Sequence, residues 1–198
     1  MAQFQLLQIM NAALVSCGLD EIASEDDGTP EFRLLSRNWP LIVESELEGG
    51  AYEFTRVELA LNSRIAGKFG FEDGYVLPPA ALAVRNVWTT ETTGARLFLD
   101  DWGQDGTSVY VDEDEGVVVE YLESPDPSLW SATFARGVQM KLQAEILRAL
   151  QGDPAAAGRM EQDAEHQFQK AQALATKQRA ARPPIRYSAF AQARFGRG

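Results

Sequence analysis

Tyr75-Val76-Leu77-Pro78-Pro79-Ala80-Ala81-Leu82-Ala83-Val84-Arg85-Asn86-Val87-Trp88 decides the fold, because the period of the chain changes there. Before it, apolar residues recur every three or four positions. From Leu82 to Trp88 they alternate as in a half-buried strand. Tyr75 to Leu77 starts extended, and Pro78-Pro79 excludes a central strand position. Three further strand patterns follow: Arg96 to Leu99, Ser108 to Val111, and Val117 to Leu122. Turn residues separate them at Thr93-Gly94, Gln104-Asp105-Gly106 and Glu115-Gly116. Together these predict a small antiparallel sheet of about four strands.

Working outward, both flanks read as helical. Residues 3–16 carry Phe4, Leu6, Leu7, Ile9, Met10, Ala13 and Leu14 on one face, with Gly18 as a left-handed stop. Thr29 caps a second helix and Pro30 opens it. Its stripe is Phe32, Leu35, Trp39, Ile42, Val43 and Leu47, and Pro40 inside it predicts a kink or two shorter helices. Residues 51–74 are ambiguous: Tyr52 and Phe54 suit a short extended piece, and Leu59 to Ile65 a helical turn. After the sheet, Asp126-Pro127 starts a helix running to Leu150, and Asp153-Pro154 starts another to about Ala181. Arg182-Pro183-Pro184 ends it.

The expected fold class is therefore α+β, mainly α. An antiparallel bundle of about four helices (1–66 and 125–182) takes a small antiparallel β region (67–124) as an insertion between helices two and three, and an extended basic tail (183–198) follows. The apolar faces are sufficient for a stable core.

Charge is divided as sharply as period. Residues 166–198 contain seven Lys or Arg and no carboxylate, whereas all twenty-nine Asp and Glu precede them with the other eleven basic residues. An acidic body disfavours general nucleic-acid coating, which depends on cations that neutralise phosphates. The basic end suits an acidic partner or a phosphate. No cationic segment precedes an apolar run at the N-terminus, and no apolar stretch approaches the roughly 20 residues that span a bilayer. With the single Cys17, no intrachain disulfide is possible. A soluble protein made in a reducing cytoplasm is expected.

The sequence offers little catalytic chemistry. His166 is the only histidine, and imidazole acts with partners. Gly67-Lys68-Phe69-Gly70 matches neither a phosphate-binding loop nor a dinucleotide fingerprint. Asp112-Glu113-Asp114-Glu115 lacks the spacing of a calcium loop and reads better as a solvated hairpin tip. Asp100-Asp101, beside Trp102, has no complementary base or metal ligand. No enzyme activity, metal or cofactor is expected. The closing Ala-Arg-Phe-Gly-Arg-Gly is similar to an arginine–glycine nucleic-acid segment, but in one copy only.

Four stretches, in order and spacing, resemble the head-to-tail adaptor (connector) family of tailed bacteriophages, in particular its tail tubular protein A branch from short-tailed phages. They are Asn11 to Ser24 with Asp26-Asp27-Gly28; Arg37 to Val43 followed by Tyr52-Glu53-Phe54; Tyr75 to Val87; and Tyr121 to Asp126 followed by Trp130 to Asp153. Tyr52 departs from the family's usual Trp-x-Phe. The likeness covers most of residues 6–182.

The resemblance implies a structural virion protein at the head-to-tail junction, made in the host cytoplasm. It implies a dodecameric ring beneath the portal protein, through which packaged DNA passes without specific binding. In that reading Arg179, Arg182, Arg186, Tyr187, Phe190, Arg194, Phe195 and Arg197 dock on the portal, ordering only when they bind. Asp100, Asp101, Trp102, Asp112, Glu113 and Asp114 in the β region meet a nozzle, stopper or fibre protein. Two alternatives stand beside it: a head-completion connector of a long-tailed phage or gene transfer particle, and a nucleic-acid-binding protein that acts through its basic tail.

Overall fold

The computed structural model describes residues 5–24, 28–50, 52–90 and 94–178. The basic tail beyond Gln178 lies outside them, as do all eight residues expected to dock on a portal.

Helix α1 (Leu6–Ser16) begins at Gln5, whose backbone N–H donates to Oε1 of Gln8 at 3.2 Å. It ends where Gly18, at φ +73°, lets the backbone turn. Asn11 then fixes the following segment: its side chain donates to the Ile22 carbonyl at 3.0 Å and accepts from the Ile22 N–H at 2.9 Å. Helix α2 (Pro30–Gly49) is capped by Thr29 and stays helical through Pro40. Of the kink or two shorter helices expected there, the second does not occur. Pro40 is exposed, so water can reach the Ser36 carbonyl that the missing N–H leaves without a partner.

After Pro125 the structure departs from the expected single helix. Asp126 caps only a short 3₁₀ turn, Pro127–Leu129, and Trp130 is extended. Ser131 supplies the real cap, accepting the Phe134 N–H at 3.2 Å, and α3 runs Ala132–Ala149. Leu129, inside the span expected to be helical, lies in the 3₁₀ turn and is exposed. Helix α4 (Pro154–Gln178) starts on Asp153, whose carboxylate accepts the Ala156 N–H at 2.8 Å.

Helix α3 is the hub of the helical part and packs against α1, α2 and α4. Its antiparallel pairing with α4 is marked by Arg148 on Glu161, Lys141 on Glu165 and Gly137 under Phe168. At the centre, Phe134 meets Tyr52, Trp130 and Phe168 with ring centroids 4.8, 4.9 and 5.4 Å away. Trp39 stacks on Trp130 at 5.5 Å. Leu14, Leu35, Leu47, Val138, Leu142 and Ile146 fill the rest.

Between α2 and α3 the described residues form eight strands, not about four. They are β1 (Arg56–Leu61), β2 (Arg64–Ala66), β3 (Asp73–Val76), β4 (Ala81–Thr90), β5 (Arg96–Phe98), β6 (Gly103–Gln104), β7 (Ser108–Val111) and β8 (Val117–Glu123). Residues 56–66, grouped with the helices on sequence, are therefore β1 and β2. One sheet is ordered β1-β8-β4-β5 and the other β2-β3-β7-β6, and every pairing is antiparallel. Their facing sides share one core: Leu61, Val84, Val87, Val117, Val119 and Tyr121 from the first sheet meet Tyr75, Val109 and Val111 from the second. This makes a small sandwich.

Candidate functional site

The acidic segment predicted to meet a tail partner connects β7 of one sheet to β8 of the other, so it is an inter-sheet crossing and not the hairpin tip expected from sequence. It is tied down at its base. The Tyr75 hydroxyl donates to the Glu113 carbonyl at 2.6 Å and accepts from the Gly116 N–H at 3.1 Å. Asp112 accepts the Glu72 N–H at 2.9 Å. Gly116 has φ +97°, and a Cβ there would come within 2.8 Å of the Asn62 side chain. Asp112 and Asp114 remain exposed. A cleft of about 290 Å³ opens beside this connection, between Asn62, Thr89, Glu113 and Glu115.

Asp100 and Asp101 are exposed in the connection from β5 to β6, and Trp102 is half-buried against the sandwich core. Gly103 of β6 lies opposite Tyr110 of β7. The chain thus enters β6 from Trp102 at the same end of the sheet where β7 leaves for Asp112. Two groups of acids separated in sequence share one end of the sandwich. Among the described residues, no group of three or more His, Cys, Asp or Glu is placed to hold a metal ion.

A second surface surrounds Asp105. Its carboxylate accepts from Lys68 at 2.8 Å, from the Tyr110 hydroxyl at 2.6 Å and from the Ser108 N–H at 3.1 Å. Lys68 first, then Tyr110, hold it well below the usual carboxylate range, and the same contact raises the Lys68 ammonium. Next to Lys68, Phe69 adopts φ +57°, a strained value for a residue with a side chain, and is 68% exposed. Its ring meets Tyr110 edge-on at 5.4 Å.

The outer face of the first sheet carries a charge network that sequence reasoning missed. Glu120, buried on β8, accepts from Arg56 at 2.6 Å and from Asn86 at 3.3 Å. Glu58 accepts both terminal nitrogens of Arg96, whose guanidinium lies over Trp88. One signal was available: Glu120 stands alone in Val117-Val118-Val119-Glu120-Tyr121-Leu122.

On the helical side, Lys141 bridges Glu165 and Glu46, at 2.5 and 3.8 Å. Burial, then Glu165, raise the Glu46 carboxyl against the opposing pull of Lys141. Burial pushes the neighbouring Tyr52 hydroxyl up to about 12. Burial also raises the Cys17 thiol. Between α1 and α3 an apolar groove is floored by Ile9, Ala12, Ala132 and Ala135. Among the described residues no helix is long and apolar enough to cross a membrane.

No family model matches the chain, and no curated protein matches it. Among solved structures it is similar to a chain in the neck of an empty GTA particle computed with C6 symmetry. That likeness is weak: 16% identity, 75% of this chain and 84% of that one covered, and a TM-score of 0.27.

Proposed function

We propose that this protein is a structural component of the head-to-tail junction of a tailed phage or phage-like particle. Copies form a ring beneath the portal, join capsid to tail and line the channel through which DNA leaves. The ring reading requires two different patches on each subunit. The acidic body keeps phosphates from sticking to the wall. The carboxylate-free basic segment after α4 grips the portal, with Arg and aromatic side chains as anchors. The acid-rich end of the sandwich, with Asp100, Asp101, Trp102, Asp112, Glu113 and Asp114, faces the next tail component.

One observation carries the reading: the four stretches that resemble adaptors fall at joints of this fold. Asn11 clamps Ile22 after α1. Trp39 stacks on Trp130, and Tyr52 packs on Phe134. Leu77 and Pro78 carry the chain from β3 to β4, where the Ala81 N–H donates to the Pro78 carbonyl at 2.9 Å. The Trp130 indole donates to the Pro125 carbonyl at 3.1 Å, fixing the passage from β8 to α3.

The test is co-purification with the portal protein, imaged by electron microscopy, for the full chain and for a chain ending at Ala181. A ring on the portal with the full chain, lost on truncation while circular dichroism is unchanged, is the expected result. Portal binding that survives truncation removes the docking role of the tail. A full chain that never associates with a portal, and particles that assemble without it, overturn the function. The length of the tail in the same images separates the short-tailed from the long-tailed version.

A further inference from the structure

We propose that copies of this chain join through the two edges of the first sheet, with β1 of one copy pairing alongside β5 of the next. The inference rests on the ring reading above and names its contact.

Among the described residues, no strand pairs with the outer edge of β1 or of β5. The second sheet ends in strands of three and two residues; in the first, β5 is also three residues long, but β1 has six, with no proline to blunt it. An unpaired edge of that length is a template for another strand.

Direction is the first argument. The strands β1, β8, β4 and β5 alternate in direction, so the two edges point opposite ways. Repeating such a sheet head to tail sets β5 antiparallel to the neighbour's β1, which is the heterologous contact a closed ring needs.

Complementarity is the second. Leu59 lies opposite Val119, on the side facing the sandwich interior, and is 39% exposed at one edge. Leu97 lies opposite Thr89, on the same side, and is 51% exposed at the other. Joined edges bring the two leucines together and cover both. On the outer face the same edges carry Glu58 and Arg96, opposite charges that already bind each other within one chain. Each edge therefore holds one half of an apolar pair; the Glu58–Arg96 ion pair, made within one chain, leaves neither partner free.

The test uses the full-length protein, assembled alone and on the portal, in a Cys17→Ser background with Leu59→Cys, Leu97→Cys or both, oxidised with diamide. The double variant is expected to give a ladder of cross-linked oligomers, and neither single variant a dimer. Hydrogen exchange on the unmodified protein gives a readout free of substitutions. Amides in 56–61 and 96–98 should slow at least about tenfold on assembly, as a tenfold change in opening equilibrium would produce. Leu97→Lys should raise the concentration for half-assembly by about tenfold or more. Rings whose β1 and β5 amides exchange as in the monomer overturn the edge contact and leave the ring reading intact. Dimers from Leu59→Cys alone indicate a two-fold β1–β1 contact and overturn it too, as does a chain that stays monomeric at every concentration. Cross-linked oligomers that never bind a portal uphold the edge contact and overturn the proposed function.

Discussion

Arg96, on the edge strand β5, holds Glu58, on the opposite edge strand β1, through two hydrogen bonds of 2.9 and 2.8 Å. In a flat four-stranded sheet the edges stand about 14 Å apart, three strand spacings. Twist and curl bring them within reach on this face. The guanidinium carbon passes 4.6 Å from the Trp88 ring centroid. Trp88, although it faces away from the sandwich core, is buried. The arginine therefore acts as a cover over an indole that the sandwich itself leaves open.

Replacing Arg96 by Ala should uncover that indole. The expected outcome is increased acrylamide quenching and a red shift from one of the four tryptophans, with the fold retained. Arg96→Lys should not restore the protection, because an ammonium lacks the planar fork that stacks on the ring and binds Glu58 through two nitrogens. Quenching unchanged in both variants would show that other groups cover Trp88.

Glu120 predicts a larger effect. Its side chain is 4% exposed and that of Arg56 19%, and the two meet at 2.6 Å. Removing one member of a buried pair costs about 3–5 kcal/mol, and Glu53, 3.8 Å from Arg56, places Glu120→Ala towards the lower end of that range. Glu120→Ala should lower the denaturant midpoint accordingly. Joint replacement by apolar residues, Arg56→Met with Glu120→Leu, should recover most of the loss, since buried pairs are often no better than well-packed hydrophobes. Equal losses in the single and double variants would mean that shape, not charge, is at stake.

Where local rules suffice, the fold was legible in the sequence. The hairpin of α3 and α4 follows from apolar spacing and the start signal at Asp153-Pro154. Strand β7 follows from Ser108-Val109-Tyr110-Val111 between two turns. Failures came where a signal was real but served something smaller: Asp126-Pro127 caps a 3₁₀ turn and Ser131 the helix. Strands β1 and β2 were missed because Leu61 and Ile65 are four apart, a spacing that suits a helical turn, although Val57, Leu59 and Leu61 alternate as in a strand. The acid-rich end of the sandwich was legible as residues, but not as one place, because only the register of β6 on β7 joins them. The Arg96–Glu58 and Lys141–Glu165 pairs depend on long-range packing that no local pattern encodes.

Gly137 is a packing glycine. A Cβ there would lie 2.6 Å from the Phe168 ring, inside the α3–α4 contact. Alanine gains about 1 kcal/mol of helix propensity, but overpacking a filled core costs about 1–3 kcal/mol. Net destabilisation is expected for Gly137→Ala, relieved when Phe168→Leu is added. A more stable Gly137→Ala protein by thermal melting would show that the Phe168 ring moves aside freely.

The cluster at the α2–α3–α4 junction should leave a mark on the pH dependence of stability. Glu46 on α2 faces Lys141 on α3 and Glu165 on α4, with the Tyr52 hydroxyl nearby. Its folded pKa is raised above the ordinary carboxylate value, by burial first and Glu165 second. For a raised carboxyl the sign is the reverse of the usual acid. The ionised group opposes folding above its folded pKa, and the penalty fades as pH falls through that value towards the unfolded one. Glu46→Gln should therefore melt higher than the parent at pH 7, and the two should converge towards pH 4. Tyr52 titrates too high to contribute in this range. If Glu46→Gln instead melts lower at pH 7, the attraction between Glu46 and Lys141 outweighs the burial of the carboxylate, and the junction is held by charge rather than in spite of it.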